Sequence, residues 1–200
     1  DRPPRMSTEP CDYAVAATVA AERLEGWRPS DEHIEALRAL GHGDLSFGEY
    51  LATFRARYPP SPHRRRRLGL GRLTPYVIPG TMLLRNNFGA TSAEMLADLE
   101  YVATAGRMVL WLCRARGAVE PDALDVRLLH RHLFADAYPW AGEYRKTELW
   151  RGEQGFVWRS AIAAKMARVH DSARSIVAAG AAYDDARLAY ELARLYADYN

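Results

Sequence analysis

The sequence has few cysteines, no long apolar run and almost no net charge. Its 200 residues include two cysteines, Cys11 and Cys113, whose spacing builds neither a disulfide framework nor a cysteine-rich zinc site. No stretch of about 18 apolar residues is free of charge, and residues 1–10 lack the apolar segment of a signal peptide. We therefore expect a cytoplasmic protein without a membrane span.

The balance of charge excludes a general attraction for nucleic acid. The chain carries 27 Lys and Arg against 25 Asp and Glu, a formal net charge of +2. Four consecutive arginines, residues 64–67, lie in a stretch rich in proline and glycine, with no aromatic residue between them. This pattern favours a solvated linker. We do not expect nucleic acid as a partner, although a regulator that uses these arginines stays open as an alternative.

Apolar residues recur at helical spacing along most of the chain. They predict helices over 12–28 with Asp12 as N-cap, from Ser30 to the glycines at 41 and 43, from Ser46, from Thr91 to about Gly117, from Pro121, over 160–179 and from Asp184 onward. Short apolar segments at 146–150 and 156–158 predict a hairpin. The expected fold class is therefore mainly α with one β-hairpin.

The same pattern divides the chain into four parts. We expect a disordered tail over 1–11, a three-helix segment over 12–58, a linker over 59–72 and a larger helical domain over 73–200. Three short helices bury little apolar surface by themselves, so the segment 12–58 is expected to pack on a larger body.

Familiar catalytic motifs are missing. The sequence contains no P-loop, no G-x-G-x-x-G, no H-E-x-x-H and no G-x-S-x-G. His130 and His132 form an H-x-H, but residues two apart on a helix point to different faces, so we do not assign them as metal ligands. Four tryptophans are interpreted as core or hairpin packing rather than as a binding platform: Trp111, Trp140, Trp150 and Trp158.

Two long blocks nevertheless resemble one family. Residues 76–89 read Y-V-I-P-G-T-M-L-L-R-N-N-F-G, similar to the Fic-family segment Y-x-Y-P-G-T-x-x-L-K-N-x-L-G. Residues 129–145 resemble the family's L-H-x-x-L-F-x-D-I-Y-x-W-A-G-E-x-R. The resemblance implies a Fic-type helical bundle, with these family-motif positions: Pro79, Gly80, Thr81, Asn86, Gly89, His130, Phe134, Trp140, Ala141, Gly142, Glu143 and Arg145.

The residues after these blocks are similar to the Fic flap, a hairpin that pairs with the backbone of a target protein and positions the nucleotide. The flap is defined here as residues 146–152 together with Phe156. Backbone pairing would orient a target side chain without reading its sequence. The first seven flap positions are Lys146, Thr147, Glu148, Leu149, Trp150, Arg151 and Gly152. The alternative is a hairpin that only covers the core.

The amino-terminal helices resemble the small antitoxin that inhibits Fic enzymes. The family's inhibitory motif, [S/T]-x-x-x-E-[G/N], would here begin with Ala21 in place of Ser or Thr and end at Glu25 and Gly26. In the family, this glutamate pairs with an active-site arginine and keeps the γ-phosphate from a productive pose. The resemblance thus implies that Glu25 is inhibitory; the alternative, a solvated carboxylate at a helix C-terminus, would be mildly unfavourable against the helix dipole.

The catalytic Fic motif, H-P-F-x-[D/E]-G-N-G-R, is not in this sequence. We expect a truncation before that motif, no catalytic residue and no metal ligand in the chain, and an inactive fragment that does not bind ATP or Mg²⁺ tightly. The resemblance implies that the parent enzyme transfers AMP from ATP, with Mg²⁺, to a protein hydroxyl. A non-catalytic binding module, a phosphotransferase of the same superfamily and a homo-oligomer stay open.

Overall fold

The computed structural model describes residues 8–58, 75–114 and 125–199. Within these ranges the chain forms seven α-helices and one two-stranded antiparallel sheet, in the order α1 (Thr8–Leu24), α2 (Asp31–His42), α3 (Phe47–Arg55), α4 (Ala93–Arg114), α5 (Val126–Phe134), β1 (Trp150–Arg151), β2 (Gln154–Gly155), α6 (Ile162–Ala179) and α7 (Asp185–Tyr199). The predicted fold class, mainly α with one hairpin, is confirmed. None of the helices in the described ranges combines the length and apolar character needed to cross a membrane.

The chain divides into two compact units. The first comprises the described residues up to 114 together with His132–Ala141, and the second comprises 125–131 and Gly142 onward. The predicted boundary between 12–58 and 73–200 therefore does not separate the units, because α1, α2 and α3 pack against α4 within the first. The predicted linker over 59–72 lies outside the described residues.

The core of the first unit forms around one face of α4. Leu99, Val102 and Val109 of α4 are fully buried, as are Tyr50 and Phe54 of α3. The phenol of Tyr50 donates a hydrogen bond to the carbonyl of Val102 at 3.0 Å, so its one polar atom is satisfied inside the core. The short amino-terminal helices thus pack against the longer helix α4, in line with the expectation that they need a larger body.

Local sequence explains where α2 and α3 begin. Ser30 caps α2 and Ser46 caps α3, each through a reciprocal capping box. The predicted Ser46–Glu49 box is confirmed. In the box of α2, the residue that reaches back to the cap is His33, which stands where Glu or Gln is usual. Gly43, with φ of 82°, ends α2 as predicted.

Two predicted helix starts are wrong by a few residues. Helix α1 begins at Thr8, so Asp12 lies inside the helix and the predicted disordered tail over 1–11 overlaps its first turn. Cys11 in that turn is fully buried, which favours the helical conformation over a free tail. Helix α4 begins one residue later than predicted, because the hydroxyl of Ser92 accepts the hydrogen bond from the Met95 N–H.

The second unit has a much smaller buried interior. Helices α6 and α7 pack together, joined by a 3₁₀ turn over Gly180–Ala182. Asp184 caps α7 through its bond from the Arg187 N–H, at 2.7 Å. Among the described residues of this unit, the buried ones are Val169, His170 and Ile176.

The strands of the hairpin are shorter than predicted, and both lie closer to the turn than the predicted segments. Trp150 pairs with Gly155 and Arg151 with Gln154, whereas the predicted strands covered 146–150 and 156–158. Gly152 has φ of 62°, and no non-glycine residue in the described ranges has positive φ. This combination fits a type II′ turn, whose first central residue is glycine and whose twist suits a two-residue hairpin.

Candidate functional site

The motif at 76–89 folds into a tight loop at the edge of the first unit. Pro79 and Gly80 occupy the centre of a turn closed by the Thr81 N–H, which donates to the Ile78 carbonyl at 3.0 Å. Gly80 has φ of 77°, the positive value that a type II turn requires after proline. The Thr81 hydroxyl donates to the same carbonyl at 2.8 Å. These three motif residues therefore have a structural role in the turn.

Asn86 and its neighbour close the loop and join it to the second motif. The side chain of Asn86 accepts a bond from the Ala90 N–H at 2.8 Å and donates to the Leu84 carbonyl at 2.9 Å. The Asn87 N–H donates to the Ala137 carbonyl at 2.8 Å. Gly89 lies inside this closed segment with φ of 70°. The two family blocks are thus connected through a backbone bond within the first unit.

Asp136 of the second motif is fixed by Arg107 of α4. The guanidinium donates two bonds to the carboxylate, at 2.7 and 2.9 Å, and lies 3.7 Å from the ring centre of Phe47. The Tyr138 phenol donates to the carboxylate of Glu100. Burial, together with this bond, raises the pKa of Tyr138. The aromatic members of the motif, Phe134 and Trp140, pack around the Tyr138 ring.

His130 and Gly142 connect α5 to the start of the flap. The Gly142 N–H donates to Nδ1 of His130 at 3.0 Å, so the imidazole accepts and must be neutral at that nitrogen. Burial lowers the pKa of His130, which favours the same neutral form. A β-carbon on Gly142 would lie 2.8 Å from Cβ of Arg131 and 2.9 Å from the Arg127 carbonyl oxygen. Only glycine fits here, which explains its place in W-A-G-E-x-R.

Arg145, the last motif residue, holds the two arms of the flap together. Its guanidinium donates to the Thr147 carbonyl at 2.7 Å on one arm and to the Val157 carbonyl on the other. It also contacts the carboxylate of Glu148, at 3.3 Å. That carboxylate accepts a further bond from the Arg159 N–H, at 3.0 Å. The arginine therefore fixes the base of the hairpin, and a neighbouring ion pair between Glu143 and Lys146, at 2.7 Å, lies in solvent.

The flap and Trp158, which follows it, present apolar side chains to solvent. The exposed fractions are 46% for Leu149, 62% for Trp150, 53% for Phe156 and 63% for Trp158. These four residues, with Glu148 and Gly155, line a groove of about 200 Å³. The interpretation of Trp150 and Trp158 as packing residues is thus wrong in part: Trp150 covers the backbone of Gly155, but most of both indoles is exposed.

Glu25 and Gly26 form the end of α1. Gly26 has φ of 99°, its N–H donates to the Arg23 carbonyl at 3.2 Å, and the Trp27 N–H donates to the Glu22 carbonyl at 3.0 Å. This is a Schellman motif, in which the buried Trp27 is the hydrophobic anchor. The helix therefore ends at Leu24 rather than reaching 28 as predicted. Gly26 is required by the helix end itself, whatever Glu25 does.

A tyrosine of α4 fixes the position of Glu25. The Tyr101 phenol donates to the Glu25 carbonyl at 2.8 Å, and its ring stacks on Trp27 with 5.9 Å between centroids. The side chains of Glu25 and of Ala21, one turn earlier, are exposed. Burial raises the pKa of neighbouring Glu22. The sequence predicted Glu25 as a site residue but gave no sign of Tyr101 as the residue that holds it.

The two groups of predicted site residues belong to different units. Ala21, Glu25 and Gly26 lie in the first unit, and the flap lies in the second. Residues missed by the sequence analysis, Arg107 and Tyr101, act through contacts that join positions distant in the chain. The residues that the structure describes contain no group of three or more His, Cys, Asp or Glu side chains arranged for a metal ion.

Three curated relatives match part of the chain. It is 31% identical over 90 residues to a protein of Salmonella typhimurium named probable protein adenylyltransferase Fic. It is 34% identical over 87 residues to probable protein adenylyltransferase y4lH of Sinorhizobium fredii, and 29% identical over 90 residues to probable protein adenylyltransferase Fic of Escherichia coli.

These matches cover only part of each protein. The matched residues make up 45%, 42% and 45% of this chain and 43%, 42% and 43% of the three relatives, in the order given above. The chain therefore spans less than half the length of each of these curated relatives. No family model and no solved structure matches the chain. The two sequence blocks, the mainly helical fold and these three relatives agree: over the matched residues, the chain is similar to Fic-family proteins.

Proposed function

We propose that this chain is the target-binding and regulatory part of a Fic-type protein adenylyltransferase. The observation that carries the proposal is the flap whose two arms are joined at the base by Arg145, the last residue of the motif W-A-G-E-x-R. The names of the three relatives support the same reaction. The enzyme would transfer AMP from ATP to a Ser, Thr or Tyr hydroxyl of a protein and release pyrophosphate, in the cytoplasm.

The flap's part in this reaction is to orient the target. A short hairpin with open outer edges can add an extended segment of another protein as a further strand, through backbone bonds that do not depend on its sequence. Holding the hydroxyl near the reacting phosphorus lowers the entropic cost of the step. Arg145 and Glu148 would act as positioning residues, because they fix the hairpin on which the target lies.

The phosphate chemistry itself would need the motif H-P-F-x-[D/E]-G-N-G-R. Its histidine would accept the proton of the target hydroxyl, and its acidic residue would hold the Mg²⁺ that neutralises phosphate charge. The 200-residue chain does not contain this motif and is therefore proposed to be inactive alone, with neither ATP nor Mg²⁺ bound tightly.

Glu25 is proposed to hold the enzyme in a low-activity state. The Schellman end of α1 and the Tyr101 bond fix the backbone of Glu25, and its side chain is exposed. An exposed carboxylate on a fixed backbone could pair with an arginine of the catalytic motif and exclude the γ-phosphate. The contact between Tyr101 and the backbone supports this role even though Ala21 replaces the usual Ser or Thr.

The reaction is tested with the natural protein. Reading the source DNA past Asn200 tests whether the catalytic motif follows, and a version extended through that motif is then produced. With ATP labelled at its α-phosphate, Mg²⁺ and a lysate of the source cells, this version is expected to label proteins, whereas the 200-residue chain labels none. A stop codon or a degenerate motif, with no binding of ATP·Mg²⁺, would support a non-catalytic binding module. Label from the γ-phosphate instead would indicate a phosphotransferase.

A further inference from the structure

The groove along the flap is too small for a nucleotide and has the volume of a side-chain pocket. Its volume is about 200 Å³, whereas sites for drug-sized ligands enclose about 300–1,000 Å³. Four of its six lining residues are apolar and about half or more exposed: Leu149, Trp150, Phe156 and Trp158. The groove therefore suits one large apolar side chain.

The polar group of the groove is already engaged. The carboxylate of Glu148 contacts the guanidinium of Arg145 at 3.3 Å and accepts bonds from the Arg159 N–H at 3.0 and 3.3 Å. The Nε of Arg159 lies 3.4 Å from the same carboxylate. Because this carboxylate is occupied on several sides, it has little capacity to recognise a polar ligand. An aromatic or large aliphatic side chain is the chemistry that the groove accepts.

The backbone beside the groove is suited to an extended peptide. Within the ranges that the structure describes, the hairpin has two strands, and each keeps one edge without a neighbouring strand. A peptide that pairs with such an edge presents alternate side chains to the same face. One of these side chains would reach the groove while its neighbours along the chain face solvent or the adjacent protein surface.

The charge of the residues around the flap in the sequence favours a target segment with acidic side chains. Residues 143–168 carry six basic and three acidic side chains. Two of the acids, Glu143 and Glu148, form ion pairs with basic residues of the same stretch. Arg151, Lys165 and Arg168 are exposed, and among the described residues they form no ion pair. Residues 143–168, which include the lining of the groove, therefore carry an excess of positive charge, which attracts acidic partners.

We infer that the flap selects its protein target through an extended segment in which acidic residues flank one aromatic or large aliphatic side chain, and that this side chain is seated between Trp150, Phe156 and Trp158. The inference rests on the proposed function, since it names the class of target that the flap would present for AMP transfer. Trp150 and Trp158 are then specificity-determining residues that touch the target rather than the reacting atoms.

The test measures binding of a peptide to the 200-residue chain, without ATP. The probe is a fluorescein-labelled extended peptide with Phe at its centre and Asp at alternate flanking positions, followed by fluorescence anisotropy. We expect saturable binding that weakens with added salt. Replacing the central Phe with Ala, or substituting Trp150→Ala in the protein, should weaken binding roughly tenfold or more, because buried aromatic anchors dominate such contacts.

Matched variants separate recognition from folding. Trp111→Ala removes another partly exposed indole, in the first unit, and should leave the peptide affinity unchanged. Trp158→Ala should weaken binding as Trp150→Ala does, and Trp150→Phe should restore much of it, with unchanged far-ultraviolet circular dichroism throughout. A peptide with Lys in place of Asp should bind several-fold more weakly.

Several results would overturn the inference. They are equal binding of the Phe and Ala peptides, equal loss in Trp111→Ala and Trp150→Ala, no binding of the acidic Phe peptide, or a dimer in sedimentation that Trp150→Ala dissociates. In the natural protein, labelling of targets that is insensitive to Trp150→Ala would also overturn it while leaving the proposed function intact. Absence of AMP transfer would overturn the proposed function, and the peptide measurement does not depend on it.

Discussion

The two units of this chain use their apolar residues in opposite ways. In the first unit, large side chains such as Tyr50, Phe54 and Leu99 are fully buried around α4. In the second, Trp150, Trp158 and several side chains of α7 are half or more exposed. Burial of apolar surface is the main source of stability, and exposed apolar patches mark interaction sites. The first unit therefore contains most of the buried apolar surface that stabilises the described part of the chain, whereas the second leaves large aromatic side chains exposed.

The sharpest test of this contrast compares two tyrosines. Tyr50→Ala removes a fully buried ring that also bonds the Val102 carbonyl, so the free energy of unfolding should fall by about 3–5 kcal/mol. Tyr196→Ala on α7, where the side chain is 72% exposed, should change it by less than about 0.5 kcal/mol. Urea denaturation of each variant measures both values. Equal losses would remove the distinction between the units.

Within the second unit, Arg145 should control the order of the flap. Arg145→Gln loses the charged bonds to the Thr147 and Val157 carbonyls, so the free energy that opens the hairpin should fall by about 1.5–3 kcal/mol. Hydrogen exchange of the Phe156 N–H, which donates to the Leu149 carbonyl at 3.0 Å, reports this opening. Arg151→Gln, at an exposed position of the same hairpin, is the control. Unchanged protection in Arg145→Gln would show that the flap does not depend on this arginine.

Gly142 tests whether the motif before the flap is constrained by space. A methyl group there would meet Cβ of Arg131 at 2.8 Å, and φ is 83°, so Gly142→Ala should destabilise the second unit by about 1–3 kcal/mol. Gly180→Ala is the matched control, because it has helical φ and open space around it, and it should be neutral or slightly stabilising. Thermal denaturation compares the two variants; equal melting temperatures would contradict the steric account.

The smallest expected effect is the pH dependence caused by His130. Burial lowers its pKa below 6.5, so the unfolded state binds the proton more readily than the folded state. The stability that depends on the neutral ring is present above pH 6.5 and is lost as the pH falls through the lowered pKa. His130→Asn keeps an acceptor for the Gly142 N–H and should show a flatter dependence of stability on pH in this window. Identical profiles would count against the assignment.

The sequence predicted those parts of the fold that depend on neighbouring residues. The Ser46–Glu49 box begins α3, Gly43 ends α2, and Gly152 lies at the hairpin turn, because each of these signals acts within a few residues. Helix α1 ends earlier than its apolar spacing indicated, since Gly26 starts a Schellman motif that overrides the periodicity. Local signals determined the caps and the turn as well as the end of α1, but the Gly26 signal was not recognised from the sequence.

Contacts between distant residues could not be predicted in this way. The bonds from Arg107 to Asp136 and from Tyr101 to the Glu25 carbonyl exist only because α4 packs against other elements of the first unit. The exposure of Trp150 and Trp158 was missed for a related reason, since an aromatic residue in a short strand has the same local pattern whether or not another layer covers it. A single sequence carries no signal for that difference.

The most direct test of the central claim is the transfer of AMP by the natural protein and its control by Glu25. Versions that include the catalytic motif are compared as wild type, Glu25→Gly and the exposed α2 control Glu35→Gly, and mass spectrometry measures AMP on protein hydroxyls. The account predicts little AMP in the wild type and in Glu35→Gly and a large increase in Glu25→Gly. No AMP in any version would contradict the proposed reaction, and equal AMP in all three would contradict inhibition by Glu25.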